Sequence, residues 1–444
     1  MKRFVAFLLT AVFVFTVAFT GCSGGQEGET DKVTQTEQSG TSGQNLKLRI
    51  SWWGTQLRND GTLKVLDMYS QLNPNVKFEP EYSSFADYWD KLASQAAANN
   101  LPDILQHDYM YISQYVNRNL LLPLDDYASK GVLNLSDVDE ATNESGRVGG
   151  KLYGVNLAIN SRAMMYDPAL FEKAGVAPPD ENWTWQDFAD KCLAIKNKLG
   201  IYGAGSMPGE LYEGFAYYLR QNGVSFYTPD GKALGYDDDK YFIDFFKMDL
   251  DLTKAGALPL PSVRMEVKGV EDDLLVSGKS AMSGYVKHSS SIEEITKFAK
   301  RPLGLAVYPK GKNEVRSGLF VKAAHYFTVA GGTKYPEEAV KFISYFINDV
   351  EANKVLAAER GVPSSSKVRE ALMPLMSDAN KLQFEFMEMV TKNSSPIDAP
   401  EPGGHTEVLS SLKNIEQELL YERITVEEAA KRFREEAAAI LKKG

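Results

Sequence analysis

Between residues 46 and 106 the chain alternates strand-like and helix-like stretches at the spacing of a layered α/β fold. LKLRISWW (residues 46–53) alternates apolar and polar side chains, as a strand with one solvated or ligand-facing edge does. Residues 62–72 read as an amphipathic helix, and VKFEPEY (76–82) alternates again. Residues 85–99 read as a second helix, and residues 103–106, after Pro102, as a short apolar strand. This order predicts a mostly parallel sheet with helices on both faces. Ligands of such sheets bind at the carboxyl ends of the strands. Trp52, Trp53, Tyr82 and Asp108 fall at those ends.

Before this body comes a different kind of sequence. Residues 1–21 have a basic start (Lys2, Arg3) and an uncharged apolar run, marginally short for a membrane span and suited to a signal peptide. Gly21-Cys22 follows. A Cys in that place resembles the lipobox of bacterial lipoproteins, in which the thiol is acylated and becomes the new N-terminus. Phe19, three before the Cys, departs from the usual Leu. Residues 22–45 read as a tether: after Cys22 they are mostly Gly, Ser, Thr, Gln and Glu with Val33 the one apolar residue, too polar to fold. The expected location is the extracytoplasmic face of the cell membrane, reached through the lipid alone.

The body from residue 46 has length for two domains, and 43% hydrophobic residues supply cores for both. Losing Lys2 and Arg3 moves the formal charge from −10 to −12. That argues against nucleic acid, whose phosphates demand clustered Lys and Arg. Cys192 has no partner once Cys22 is acylated, so no disulfide is expected, and Cys192 reads as a small buried helix residue. Residues 153–166 read as a crossing strand and Thr184 as a helix N-cap with Asp187 three residues on. Trp185 reads as a core anchor, and Trp183 is open. Residues 303–309 and 325–330 read as strands, and 335–346 as a helix with Pro336 in its first turn.

These pieces together resemble the extracellular solute-binding proteins (family 1) of carbohydrate ABC importers. The resemblance rests on Cys22, the opening SWWG, LPDI before an aromatic loop, YGVNLAINSRAMMYDPALFEKAG, WTWQDF, AMSGY and GVP at residue 361. It implies a two-domain, type II periplasmic-binding-protein-like clamshell of α/β lobes joined by several hinge crossovers. One lobe would comprise residues 46–155 plus 311–360, the other 156–310 plus 361–444, with hinges near 155–160, 308–311 and 361–363. It further implies an oligosaccharide ligand, plant cell-wall derived, such as a xylo- or manno-oligosaccharide. The partners implied are the transmembrane subunits of an ABC permease; the protein itself is expected to be a monomer.

A sugar site needs flat aromatic platforms and polar partners that can give and accept hydrogen bonds. With 22 Tyr and five Trp the chain can supply them. Trp52 and Trp53 end the first strand; alternation sends one to the core and favours Trp53 for the cleft. Gln56 and Arg58 read as partners in the following loop, Arg58 equally as a solvated charge. Tyr82 ends the second strand, and Trp89 beyond it reads as packing rather than stacking. Asp108 and Tyr109 follow the LPDILQH strand, where the resemblance implies a hydrogen-bonding acid and an aromatic, and form the strongest pair. Asn156 lies on the crossing strand, and Glu210 and Tyr212 follow a Gly/Pro loop in the second lobe. Tyr285 stands where relatives often carry Trp. His107 reads as a strand residue, and His288 and His405 as surface or cap residues.

Two other functions fit parts of this pattern. A secreted glycoside hydrolase shares the aromatic cleft, yet it needs two carboxylates across one bond, and among 59 Asp and Glu no motif singles out a pair. GxSxG, HExxH and P-loop spacings are missing. A binder of cationic ligands such as polyamines could use Asp108 and Glu210. No cofactor is expected, and no dense acidic loop of calcium type appears.

Overall fold

The computed structural model describes residues 45–442. The leader, Cys22 and the tether up to residue 44 lie outside the described residues. The alternating stretch folds into β1 (Leu46–Trp53), β2 (Val76–Ser83) and β3 (Ile104–His107), parallel, with β1 in the middle. Helices Gln56–Leu72 and Phe85–Ala97 make the crossovers. The first begins at Gln56 rather than at residue 62, because the side chain of extended Thr55 caps it by accepting from the Arg58 N–H. Gln56 and Arg58 therefore sit in a helical turn, not in a loop.

A short hairpin, β4 (Arg147–Val148) with β5 (Lys151–Leu152), precedes β6 (Val155–Asn160). The chain then leaves for a second sheet of β7 (Met164–Tyr166), β8 (Tyr202–Ala204), β9 (Ser280–Met282) and β10 (Gly304–Ala306), in the order β10–β7–β9–β8. It returns as β11 (Lys322–Val329), and β12 (Val362–Pro363) completes the first sheet in the order β12–β6–β11–β3–β1–β2.

Two expectations change here. The stretch 153–166 is not one strand but β6 and β7, which belong to different sheets. The first sheet is mixed rather than mostly parallel, since β3–β11, β11–β6 and β6–β12 are antiparallel. The cause is topological: β11 re-enters the sheet at the edge where β6 leaves it, so the two must run in opposite directions. The sheets also take residues 156–160 and 362–363 into the first layer, slightly beyond the boundaries expected at 155 and 360. Two crossing segments are laced together where the Ser161 hydroxyl donates to the Phe320 carbonyl at 2.9 Å.

Helices cover both faces of the first sheet, so β1 ends in two buried tryptophans on opposite faces, although Lys47 and Arg49 further back on the Trp53 face pair with Glu79 and Glu81. Leu48, Ile50 and Trp52 pack with Phe327 and Phe342. Trp53 packs on the other face with Tyr88, Leu105 and Tyr326. The second sheet carries its own core around Phe188, Phe215, Phe245 and Phe433. Trp185 and Trp183 both belong to it, their indole N–H groups donating to Gln221 and to the Val307 carbonyl at 2.8 Å each. Thr184 caps the helix Trp185–Leu199 in a reciprocal box with Asp187, and Cys192 is buried on that helix.

One buried cluster in this second core carries charge. Arg264 holds Asp249 at 2.6 Å and Glu416 at 3.3 Å. A single guanidinium serves two carboxylates, and burial beside Asp249 pushes Glu416 up to about 8. A carboxyl raised in the folded state keeps a proton that the unfolded chain releases. Its contribution to stability is complete below the ordinary value of 4.5 and fades as the pH rises to about 8. Glu416→Gln should therefore flatten the fall in stability between about pH 5 and about pH 8. Urea unfolding of both chains at those two pH values checks this; equal falls would contradict it.

Candidate functional site

Tyr109 reaches the gap between the sheets because of its neighbour. Asp108 leaves β3 extended and caps the helix Tyr109–Asn117, its carboxylate accepting from the Met110 N–H at 2.9 Å. The carboxylate is thereby used on the chain's own backbone. Tyr109, first in the helix, stands in the wall of two adjoining cavities of about 240 and 310 Å³. The first joins Tyr109 and Met110 to Tyr212, Tyr217 and Arg220 of the second lobe. The other lies towards Ile112, Ser145 and Arg147.

A strap separates the two cavities. Residues 394–404 run in irregular backbone between the helices Asp378–Asn393 and His405–Leu420, punctuated by Pro396, Pro400 and Pro402. The Tyr109 hydroxyl donates to the Asp398 carbonyl at 2.7 Å. The Asp398 carboxylate in turn meets Arg220 at 2.7 Å and Arg316 at 3.0 Å. Arg220, only 2% exposed, also donates to the Gly318 carbonyl, the Ser395 hydroxyl and the Pro396 carbonyl. So the strap is held from the second lobe and touched from the first.

Aromatic rings and charged groups alternate around the first cavity. The Tyr212 hydroxyl donates to Glu401 at 3.3 Å, and the His405 ring packs edge-on against Tyr212 while bonded to the Tyr227 hydroxyl at 2.8 Å. Burial keeps the Tyr109 and Tyr212 hydroxyls protonated well above their ordinary range. Glu213 pairs with Arg162 at 2.6 Å through one oxygen, while its other oxygen is buried without a partner. Such a wall offers flat rings, donors and free acceptors together, the combination that a polyhydroxylated ring requires.

Of the sequence candidates, the structure brings Tyr109 and Tyr212 together in this cavity. The others lie elsewhere. Trp52 is fully buried, its indole N–H donating to Asn59 at 2.9 Å and its ring stacked 5.1 Å from the half-exposed Tyr82. Trp53 is buried too, in an aromatic cluster with Phe85, Tyr88, Trp89 and His325. Trp89 leans on Tyr111 at 3.9 Å. Arg58 is tied to Glu359 at 2.8 Å and to the Trp53 carbonyl, and exposed Gln56 bonds Asp60. Asn156 is buried on β6 against Ser145, with its amide oxygen unpaired. Glu210 pairs with Lys287 at 2.6 Å, and exposed Tyr285 donates to the Lys268 carbonyl. Those two share a separate small recess with Arg264.

His288 and His405 are half-buried at helix starts, His288 capping the short turn Ser289–Ser291 and His405 opening the helix His405–Leu420. Burial, with Arg162, Lys322 and Lys287 nearby, pushes His288 down to about 3, and Arg162 donates to its ring at 2.9 Å. His405 lines the cavity. Sequence reading also missed Arg162, Glu213, Arg220, Phe320, Lys322, Asp398 and Glu401. Only Glu213, next to Tyr212, and the Pro-punctuated 395–402 stretch gave any signal. A wider depression, about 660 Å³, lies by Gln417, Tyr421 and Arg432, far in sequence from the strand ends, with Arg432 already paired to Glu418. Among the described residues no cluster of His, Cys, Asp and Glu is placed to hold a metal, and no helix is long and apolar enough to cross a membrane.

Similarities to known proteins agree with this geometry. The model of the bacterial extracellular solute-binding protein family matches residues 58–352. An extracellular solute-binding protein family 1 structure from Alicyclobacillus acidocaldarius is 29% identical, with a TM-score of 0.82 over 90% of this chain and 100% of that one. A periplasmic oligogalacturonide binding protein from Yersinia enterocolitica has the same fold, with a TM-score of 0.74 at 22% identity over 90% and 99% of the two chains. The arabinooligosaccharide-binding protein of Bacillus subtilis is 22% identical over 245 residues, 54% of this chain and 52% of that one. A Brucella abortus protein is 28% identical over 176 residues, 38% of this chain and 41% of its own length. The chain thus spans about half or less of the curated relatives it matches. Its fold is the two-lobed α/β clamshell of type II binding proteins. With two thirds of its length under one family model, the chain belongs to the bacterial extracellular solute-binding proteins, which bind a substrate rather than transform it.

Proposed function

We propose that this chain captures an oligosaccharide, of the kind released from plant cell walls, and delivers it to the permease of an ABC importer. The observation that carries the reading is the cavity in which Tyr109 of one lobe faces Tyr212 and Tyr217 of the other across charged hydrogen-bonding groups. A ligand seated there touches both lobes, and closure is favoured only through contacts that the open form lacks. The hinge crossings are residues 161–163, residues 307–321 and the stretch after Pro363. The expected lobes, 46–155 with 311–360 and 156–310 with 361–444, shift to those crossings, so that residues 156–160 and 362–363 go with the first lobe. Cys22 is the lipid attachment, and the protein acts as a monomer on the extracytoplasmic face.

Sugar is favoured over other solutes on two grounds. The Yersinia enterocolitica and Bacillus subtilis proteins are named for oligogalacturonide and arabinooligosaccharide. The cavity also mixes donors and acceptors instead of presenting carboxylates alone, as a polyamine would require. Tyr109 and Tyr212 are the ligand contacts of this reading; Trp52, Trp53 and Trp89 shape the lobe behind them.

A thermal-shift screen across plant oligosaccharides of defined length tests the proposal, since a ligand that binds only the folded chain raises its melting temperature. At least one glycan should do so. Tyr109→Ala should weaken its binding by about 1–3 kcal/mol, the range of a large aromatic contact. A screen in which no glycan shifts the melting point would end this reading.

A further inference from the structure

Charge around the cavity is unevenly matched. Arg162 has Glu213 at 2.6 Å, and Lys287 nearby has Glu210 at 2.6 Å. Lys322, which opens β11 opposite Asn160 and lines the cavity, is half-buried and has no carboxylate within ion-pair reach among the described residues. His288, beside these cations, is held neutral by burial and by them and adds no further positive charge. On the strap side, Arg220 and Arg316 share the one carboxylate of Asp398. Each cation pair, Arg162 with Lys322 and Arg220 with Arg316, is therefore one negative charge short. Glu401 is held by Tyr212 and meets none of these cations within ion-pair distance. A cation partly removed from water gains most from an opposite charge delivered with the ligand, because the local dielectric is low.

We propose that Lys322, with Arg162 beside it, forms a carboxylate-reading subsite, so that the captured oligosaccharide is an acidic one bearing a uronic-acid residue. The sugar carboxylate takes the place missing beside Lys322, while Glu213, Glu401 and Tyr212 are left for hydroxyl groups. Asp398 already shows how this lining treats a carboxylate: it is held by two guanidiniums. The inference rests on the oligosaccharide-capture reading and narrows it.

Calorimetric titration of the purified chain with digalacturonate, with its methyl ester and with neutral xylotriose separates the two. The acid should bind at least about tenfold tighter than the ester, a difference near 1.4 kcal/mol. Lys322→Met and the polar variant Lys322→Gln should each abolish that ratio while leaving ester affinity within about threefold. Equal binding of acid and ester, or equal loss of both in folded Lys322 variants, overturns the assignment. If a neutral glycan binds and digalacturonate does not, the carboxylate subsite falls and the capture reading stands. If no glycan binds, both fall.

Discussion

Trp52→Ala should lower the free energy of unfolding by roughly 3–5 kcal/mol, the cost of emptying a large aromatic site in a packed core. The ring is fully buried among Leu48, Ile50 and Phe327, and its N–H is the partner of the Asn59 amide oxygen. Truncation leaves a cavity and an unpaired buried acceptor together. Trp52→Phe, which keeps most of the volume, should cost about half as much. Guanidinium unfolding measures both. At temperatures where the Ala variant is still folded, its affinity for ligand should be within a few-fold of the parent's. A variant of normal stability that had lost binding would return Trp52 to the cleft.

The second large effect belongs to the strap. Asp398→Ala removes the one carboxylate that Arg220 and Arg316 share, leaving a buried guanidinium facing another of like charge. Breaking such a pair from one side costs about 3–5 kcal/mol when both partners are buried. Asp398 is 31% exposed, and Arg220 keeps its bonds to Gly318, Ser395 and Pro396, so about 2–3 kcal/mol is expected here. Arg220→Met combined with Asp398→Ala should recover part of the loss, because no unpaired buried charge remains. Chemical denaturation of the two single variants and the pair closes the cycle. Additive losses would mean that the two side chains are not coupled and that the strap is held by its backbone.

These effects mark where sequence reading worked and where it stopped. The β1 stretch announced itself by alternation, and Asp108-Tyr109 by standing just past a strand end, so the first lobe's side of the cavity was legible. Which tryptophan faces the cleft was not, because alternation separates the two faces without saying that helices cover both. The helix at Gln56 was missed through its first turn, where Arg58, Asn59 and Asp60 carry no apolar period. Arg220 looks like an ordinary surface cation in FAYYLRQ, yet the fold buries it against a segment more than 170 residues away in the chain. The strap has neither period nor motif. Its role follows from where the C-terminal helices return it, and single-chain patterns carry no information about that long-range placement.

A crystal structure of the chain with the glycan that most raises its melting temperature tests the central claim most directly. The account predicts an intact sugar between the lobes, in contact with Tyr109 on one side and Tyr212 on the other. Density for the glycan elsewhere, along Tyr82 and Phe85 or in the recess at Tyr285, or density for its cleavage products, would contradict it.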